Sequence, residues 1–198
     1  MCGALLALPW LRSKLRIIAG KHRGLRLKTP KDQSLRPTAE RVREAIFSII
    51  GFDLTGLWVL DLFAGTGAMA LEALSRGADF VVMVDQHPKA VKLITRNLAA
   101  CGNPQHAKLF RLDLRRGLKG LIRRGYHFDL VFLDPPYGRG LSQRCLEQLG
   151  KGTLLNAPAT VVSEHATEEN LTSKYGCLQR QKTRRYGSTA VSFYLRGE

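Results

Sequence analysis

The stretch Leu57-Trp58-Val59-Leu60-Asp61-Leu62-Phe63-Ala64-Gly65-Thr66-Gly67 decides the fold. Its first six residues are an apolar run of strand length. The rest is a glycine-rich turn that opens directly into a helical pattern, Ala68–Arg76. The glycines permit a tight turn and close approach of a ligand to the backbone, and a helix start leaves N–H groups free. Strand and helix then alternate. Phe80–Val84, Lys108–Leu112, Phe128–Leu133 and Thr160–Glu164 are strand candidates. Pro88–Cys101 is a helix with proline in its first turn and Gly102 after it, and Leu141–Leu149 is another. Leu114–Arg124 is a short basic helix weakened by Gly117 and Gly120. Leu178–Tyr186 and Thr189–Arg196 flank Gly187-Ser188, which reads as a β-hairpin. The pattern predicts an α/β fold with a mostly parallel sheet and an antiparallel element at one side.

Open α/β sheets bind ligands at the C-terminal ends of their strands. Asp61, Asp85 and Asp113 all fall at such ends. A carboxylate at Asp85 can accept both hydroxyls of a ribose, and Asp113 could reach an adenine amino group. Gly65-x-Gly67-x-x-Ala70 also satisfies the dinucleotide pattern G-x-G-x-x-G/A. Asp61, just before the turn, argues against that, because it would repel a pyrophosphate. A cofactor with a cationic sulfur and an amine would instead be welcome there, and S-adenosylmethionine is one.

Asp134-Pro135-Pro136-Tyr137 closes the fourth strand. Two prolines cannot continue a ladder, so the chain turns away through Gly138 and Gly140 as a stiff loop carrying a carboxylate and a ring. A planar amine fits it. Asp134 and a backbone carbonyl could accept its two N–H bonds while Tyr137 stacks on the ring face. Taken alone, a surface turn with an incidental tyrosine fits equally well. The second motif, at Asp61–Gly67, separates the two.

Composition narrows the partner. The 198 residues carry a net charge of +15, and 44% of them are hydrophobic, which suits one domain with a full core. Residues 12–43 hold eleven Lys/Arg against Asp32 and Glu40. A solvated face would mix signs, so this segment reads as a nucleic-acid footprint. Within it, Arg16–Ala19 and Leu25–Lys28 form a basic hairpin, and a helix follows from Thr38 to about Gly51. Candidate RNA contacts are Lys21, Arg23, Arg26, Arg36, Arg41 and Arg43, with Arg139 and Arg185 nearer the turn-rich edge. The turn Arg184–Gly187 reads either as a plain hairpin or as part of the site mouth. Cys2, Cys101, Cys145 and Cys177 have no C-x-x-C spacing, so neither zinc nor a disulfide framework is expected. Reduced thiols in a cytosolic protein are the expectation. The apolar start, Met1–Leu11, is too short to span a bilayer, and residues 1–15 are expected to be a disordered leader or the result of a start site called too early. The five histidines form no ligand spacing, although His165 is a candidate for the site rim.

The segments D-L-F-A-G-T-G-A-x-x-L-E-A-L-S-R-G-A (Asp61–Ala78) and D-P-P-Y (Asp134–Tyr137) resemble Rossmann-like, S-adenosylmethionine-dependent methyltransferases that modify exocyclic amines. R-I-I-A-G-K-H-R-G-L-R-L (Arg16–Leu27), L-R-P-T-A-E-R-V-R-E-A-I-F (Leu35–Phe47) and R-R-Y-G-S-T-A-V-S-F-Y (Arg184–Tyr194) narrow the resemblance to the RsmD-type 16S rRNA guanine-N2 methyltransferases of bacteria. It runs from about Arg16 to Arg196. It implies a seven-stranded sheet of order 3-2-1-4-5-7-6 with helices on both faces. It also implies a monomeric cytoplasmic enzyme and a substrate of 16S rRNA in a small-subunit assembly particle, with no metal and no membrane. One methyltransferase domain would span 16–198, with a basic arm over 16–50 and the catalytic core over 51–198. By motif match, Asp61, Phe63, Ala64, Gly65, Thr66 and Gly67 would hold the methionine part of the cofactor, Asp85 its ribose and Asp113 its adenine. Asp134, Pro135, Pro136 and Tyr137 would receive the guanine. A DNA adenine-N6 methyltransferase shares the D-P-P-Y chemistry, but 198 residues leave little room for a target-recognition region. A protein glutamine methyltransferase fits poorly with +15 and with Asp at 134. A non-catalytic RNA-binding assembly factor is the rival from another class.

Overall fold

In a computed structural model, residues 15–30, 37–102 and 104–197 are described. The expected leader, apart from Leu15, and Arg36 lie outside them. In place of the two expected strands, the basic hairpin closes with a single antiparallel bridge, Arg16 to Arg26, helped by the Ile17–Leu25 and Leu27–Leu15 backbone bonds; the next described element is α1 (Pro37–Ile50). Then follow β1 (Trp58–Leu62), α2 (Ala68–Ser75), β2 (Phe80–Asp85), α3 (Pro88–Cys101) and β3 (Ala107–Arg111). The second half runs α4 (Lys119–Ile122), β4 (Phe128–Leu133), α5 (Leu141–Leu149), β5 (Leu155–Ala166), β6 (Lys174–Tyr175), β7 (Leu178–Tyr186) and β8 (Thr189–Arg196).

The sheet has the order β3-β2-β1-β4-β5-β8-β7-β6. Among the described residues it therefore has eight strands, not seven. The extra member is β6, two residues paired with the outer side of β7. Without it, the order is the expected one. Pairing is parallel from β3 through β5 and antiparallel beyond, where β8 lies against β5 and β7. The predicted 114–124 helix is divided. A 3-10 turn at Leu114–Arg116 ends at Gly117, whose φ of 88° no α-helix accepts, and α4 then adds one turn. Strand β5 is longer than 160–164, since Leu155 already pairs with Phe128 before the regular register resumes at Thr160.

Alternation splits the sheet between two cores. Val59, Val81, Met83, Phe132, Val162, Val191 and Phe193 face the layer made by the hairpin, α1, α2 and α3. Leu60, Leu62, Val82, Val84, Val131, Leu133, Val161 and Tyr194 face α4 and α5. Strands covered on both sides read as continuous apolar runs, which is why they are visible in the sequence.

The basic arm is fastened to this frame through one acid. Glu72 on α2 is fully buried. It accepts the N–H groups of Ile18 at 2.7 Å and Ala19 at 3.0 Å, and pairs with Arg76 Nε at 2.9 Å. Ser75 adds a contact on each side, accepting from His22 N–H and donating to the Ala19 carbonyl. At Gly20 a Cβ would lie 1.7 Å from the Ser75 carbonyl oxygen, so only glycine allows the hairpin to come this close.

Removing one partner of such a network leaves a buried cation and two amides unmet. Glu72→Ala should cost about 3–5 kcal/mol. Urea unfolding measures it, and a loss under about 1 kcal/mol, typical of an exposed pair, would contradict this account of the anchor.

Candidate active site

The period of two along each strand brings the chemistry to one place. Asp61 shares a face with Val59, Asp85 with Met83, Asp134 with Phe132, and Glu164 with Val162. All four sit at C-terminal strand ends on the face covered by α1, α2 and α3. Thr189, at the start of antiparallel β8, joins the same edge.

The glycine turn is built around two of these acids. Phe63 holds a left-handed φ of 65°, a strained position for a side chain of its size, and it swings the chain over the strand end. Gly67 then caps α2 with φ 77°, and a Cβ there would press on Met83 Sδ at 3.3 Å. Ala64 N–H donates to the Val84 carbonyl, tying the turn to β2. Asp85 accepts from Gly65 N–H at 3.0 Å and from His87 N–H at 2.8 Å, one bond on each oxygen. Each oxygen keeps a lone pair for a diol. Asp61 is buried and accepts from Ala70 N–H at 3.2 Å. Loss of water pushes its pKa up to about 7. The Ala70 bond opposes that shift, and the Asp85 charge adds to it.

Asp134 keeps an open side toward solvent, and Pro135 beneath it is buried. Removal of water first, then the charges of Glu164 and Asp61, raise its pKa well above the carboxylate range. Glu164 is also raised, by partial burial, against a bond from Tyr137 that lowers it. The Tyr137 hydroxyl donates to Glu164 Oε1 at 3.1 Å and lies 3.1 Å from Thr189 Oγ1. Burial of the phenol, its first cause, lifts the Tyr137 pKa to about 12. The residue remains 44% exposed, so the site has an aromatic surface to offer.

Asp113 stands beyond β3 as expected, but its carboxylate is engaged. Arg115 chelates it with Nε and Nη2, both at 2.8 Å, and these bonds hold its pKa down to about 2. Arg43 departs further from expectation. It is buried, and its Nη2 donates to the Arg16 carbonyl at 2.6 Å, so it joins helix to hairpin instead of facing a phosphate. Burial lowers its pKa. Lys21, Arg23, Arg26, Arg41, Arg139 and Arg185 are exposed. Arg23 and Arg41 border a cleft of about 410 Å³ between hairpin and α1, which Glu40 and Glu44 also line. His165 is not on the rim. It faces the opposite core, with Nε2 at 2.9 Å from Ser192 Oγ, and burial lowers its pKa. Arg184–Gly187 belongs to the β7–β8 hairpin, whose second strand begins at Thr189, 3.1 Å from the Tyr137 hydroxyl.

Three carboxylates with raised pKa values thus crowd one recess of a chain whose net charge is +15. The recess suits a ligand with a cationic center. Asp61 behind the glycine turn fits the cation of S-adenosylmethionine, and Asp85 fits its ribose. Glu164 and Thr189 were missed in the sequence. Glu164 was legible as another acid ending a strand on the same face, whereas Thr189 needed the β5–β8 register.

The pattern of the family described as Conserved hypothetical protein 95 matches residues 15–195. A relative from Bacillus subtilis (strain 168) is 36% identical over 180 residues, covering 91% of this chain and 98% of that protein. Ribosomal RNA small subunit methyltransferase D of Escherichia coli (strain K12) is 31% identical over 185 residues, covering 92% of this chain and 90% of its own length. A solved structure from Escherichia coli agrees with a TM-score of 0.81 at 30% identity, covering 92% of this chain and 98% of that one.

A raised carboxyl pKa carries a stability signature. Between about pH 4 and 7 the folded chain holds a proton at Asp61 that the unfolded chain has released. Stability of the ligand-free protein should therefore fall as pH rises through that window. Asp61→Asn should flatten this part of the profile and raise the urea midpoint at pH 8, while abolishing binding of S-adenosylmethionine measured by calorimetry. A variant with the same slope as the parent would contradict the assignment.

Proposed function

Because this chain belongs to the Conserved hypothetical protein 95 family, we propose that it moves a methyl group from S-adenosylmethionine to the exocyclic N2 amine of a guanine in 16S rRNA of the small ribosomal subunit. The observation that carries the proposal is the meeting of the rigid Asp134–Tyr137 loop with buried Asp61 and the glycine turn, all on one face of the sheet edge. The relative named for small-subunit rRNA methylation supports the substrate class, as does the exposed basic hairpin. The protein would act as a cytoplasmic monomer on rRNA or on an assembly particle.

Asp61 faces the cation, and the turn Phe63–Gly67 lets the cofactor approach the backbone. Asp85 takes the ribose. Asp113 accepts from the adenine amine at Oδ2, which takes only one hydrogen bond from Arg115. When bound, S-adenosylmethionine supplies a methyl activated by a cationic sulfur. A guanine amine is a weak nucleophile because its lone pair is conjugated with the ring. Asp134 and the Pro135 carbonyl accept its two N–H bonds and favor a pyramidal nitrogen. Pro135 and Pro136 hold those acceptors in place without reorganization, which matters because in-line transfer depends on placement. Asp134, more basic than an ordinary carboxylate, accepts the proton that the nitrogen loses. Tyr137 stacks on the base, which must leave its own stack to reach the loop.

Asp134→Ala should lower methyl transfer by about 10²–10⁴-fold while leaving calorimetric binding of the cofactor and of RNA unchanged. Loss of cofactor affinity instead would reassign the residue. Transfer of labeled methyl to small-subunit particles, with nucleoside analysis for N2-methylguanine, tests the substrate. Label appearing only on DNA adenine would overturn it. For the arm, Lys21/Arg23/Arg26→Ala should make the log–log salt dependence of RNA binding shallower by about 0.7–0.9 for each phosphate no longer neutralized. An unaltered slope would remove the arm from the interface.

A further inference from the structure

Glu164 has no evident reason to be where it is on grounds of stability. It is half-buried, and among the described residues no Lys, Arg or His forms an ion pair with it. Asp134 and the Tyr137 phenol face it instead. A partly desolvated acid beside another acid weakens the folded state, and such arrangements persist where a site needs them.

What Glu164 touches shows the use. The prolines fix the backbone before Tyr137, but they do not fix its ring. The ring is held at its far end, where the hydroxyl donates to Glu164 Oε1 at 3.1 Å and lies at the same distance from Thr189 Oγ1. A phenol has one proton, so with Glu164 as acceptor the Thr189 hydroxyl donates back to the phenol oxygen. The two holders stand on neighboring antiparallel strands, where Glu164 pairs with Val191 and Ala166 with Thr189. The ring that ends one loop is thus pinned across β5 and β8.

We propose that Glu164 is a positioning residue: with Thr189 it clamps the Tyr137 hydroxyl and so sets the ring plane on which the target base stacks. This rests on the methyl-transfer function proposed above. The carboxylate has a second effect through space. Its charge favors the protonated form of Asp134, as does that of Asp61 behind it. Among the described residues, these two acids are the charged groups that act on Asp134.

The test uses the full chain with small-subunit particles and S-adenosylmethionine. On the pH plateau, Glu164→Ala should lower kcat about 10–100-fold, an orientation loss, with cofactor affinity unchanged and no fall in thermal midpoint. Tyr137→Phe should cost a similar factor. The double variant should be no slower than Tyr137→Phe alone, because both changes remove one clamp. Glu164→Gln still offers an amide oxygen to the phenol, so it should recover most of the rate. It should also move the acid limb of the pH profile to lower pH, since Asp134 loses a like-charged neighbor. Multiplying effects in the double variant, or parent-like kcat in Glu164→Ala, would overturn the clamp. A readout without substrate separates this from a wrong function. The Tyr137 ring signals in ¹³C NMR, assigned by their loss in Tyr137→Phe, should broaden in Glu164→Ala and stay sharp in Glu164→Gln. Unchanged signals in Glu164→Ala overturn the clamp. A parent protein inert toward particles overturns the methyl-transfer function, and the NMR result then judges the clamp alone.

Discussion

Carboxylates brought close together, with no ion-paired cation among the described residues, are the constraint on which this molecule turns. Asp61, Asp134 and Glu164 would each be more stable in solvent. Strand alternation instead delivers them to one face of one edge. The fold stabilizes this recess only weakly, with one backbone N–H for Asp61 and one phenol for Glu164. A positively charged ligand removes the conflict. The glycine turn lies beside two acids of this edge, with Gly65 N–H on Asp85 and Ala70 N–H on Asp61.

Glu72 makes the contrast. It is as deeply buried as any acid among the described residues, yet every element around it answers its charge: two hairpin amides and the Arg76 guanidinium. Arg76 in turn lies 4.5 Å from the center of the Phe47 ring on α1. That acid is structural because it is satisfied. The acids at the strand ends are incompletely satisfied, and this difference, not burial alone, separates anchor from site.

The core of this arrangement was legible in the sequence, because parallel strands covered on both sides leave unbroken apolar runs and the glycine turn and double proline mark their ends. Phe128–Leu133 and Leu141–Leu149 have the predicted bounds. The sequence was less informative where a residue's role depends on what faces it. Arg43 looked like one more cation in a basic segment, yet helix spacing puts it on the buried side of α1 beside Val42 and Ile46. His165 and Glu164 are adjacent, and the strand sends one to the core and the other to the site. Asp113 was placed correctly at its strand end, but Arg115, two residues on, occupies it. The strand β6 is two residues long and carries no periodicity to detect.

The arm and the site are mechanically one unit. Asn97 on α3 accepts from Lys28 N–H at 2.7 Å and donates through Nδ2 to the carbonyls of Lys28 and Thr66. Thr66 belongs to the glycine turn, so a single buried amide joins the end of the basic hairpin to the backbone of that turn. Glu72 holds the other end of the hairpin to the helix that the same turn opens. The hairpin that carries Lys21, Arg23 and Arg26 is thereby fixed to α2, and α2 is fixed to Asp61 through Ala70 N–H. The basic hairpin and the strand-end acids therefore share one reference frame, set by buried hydrogen bonds instead of by a linker.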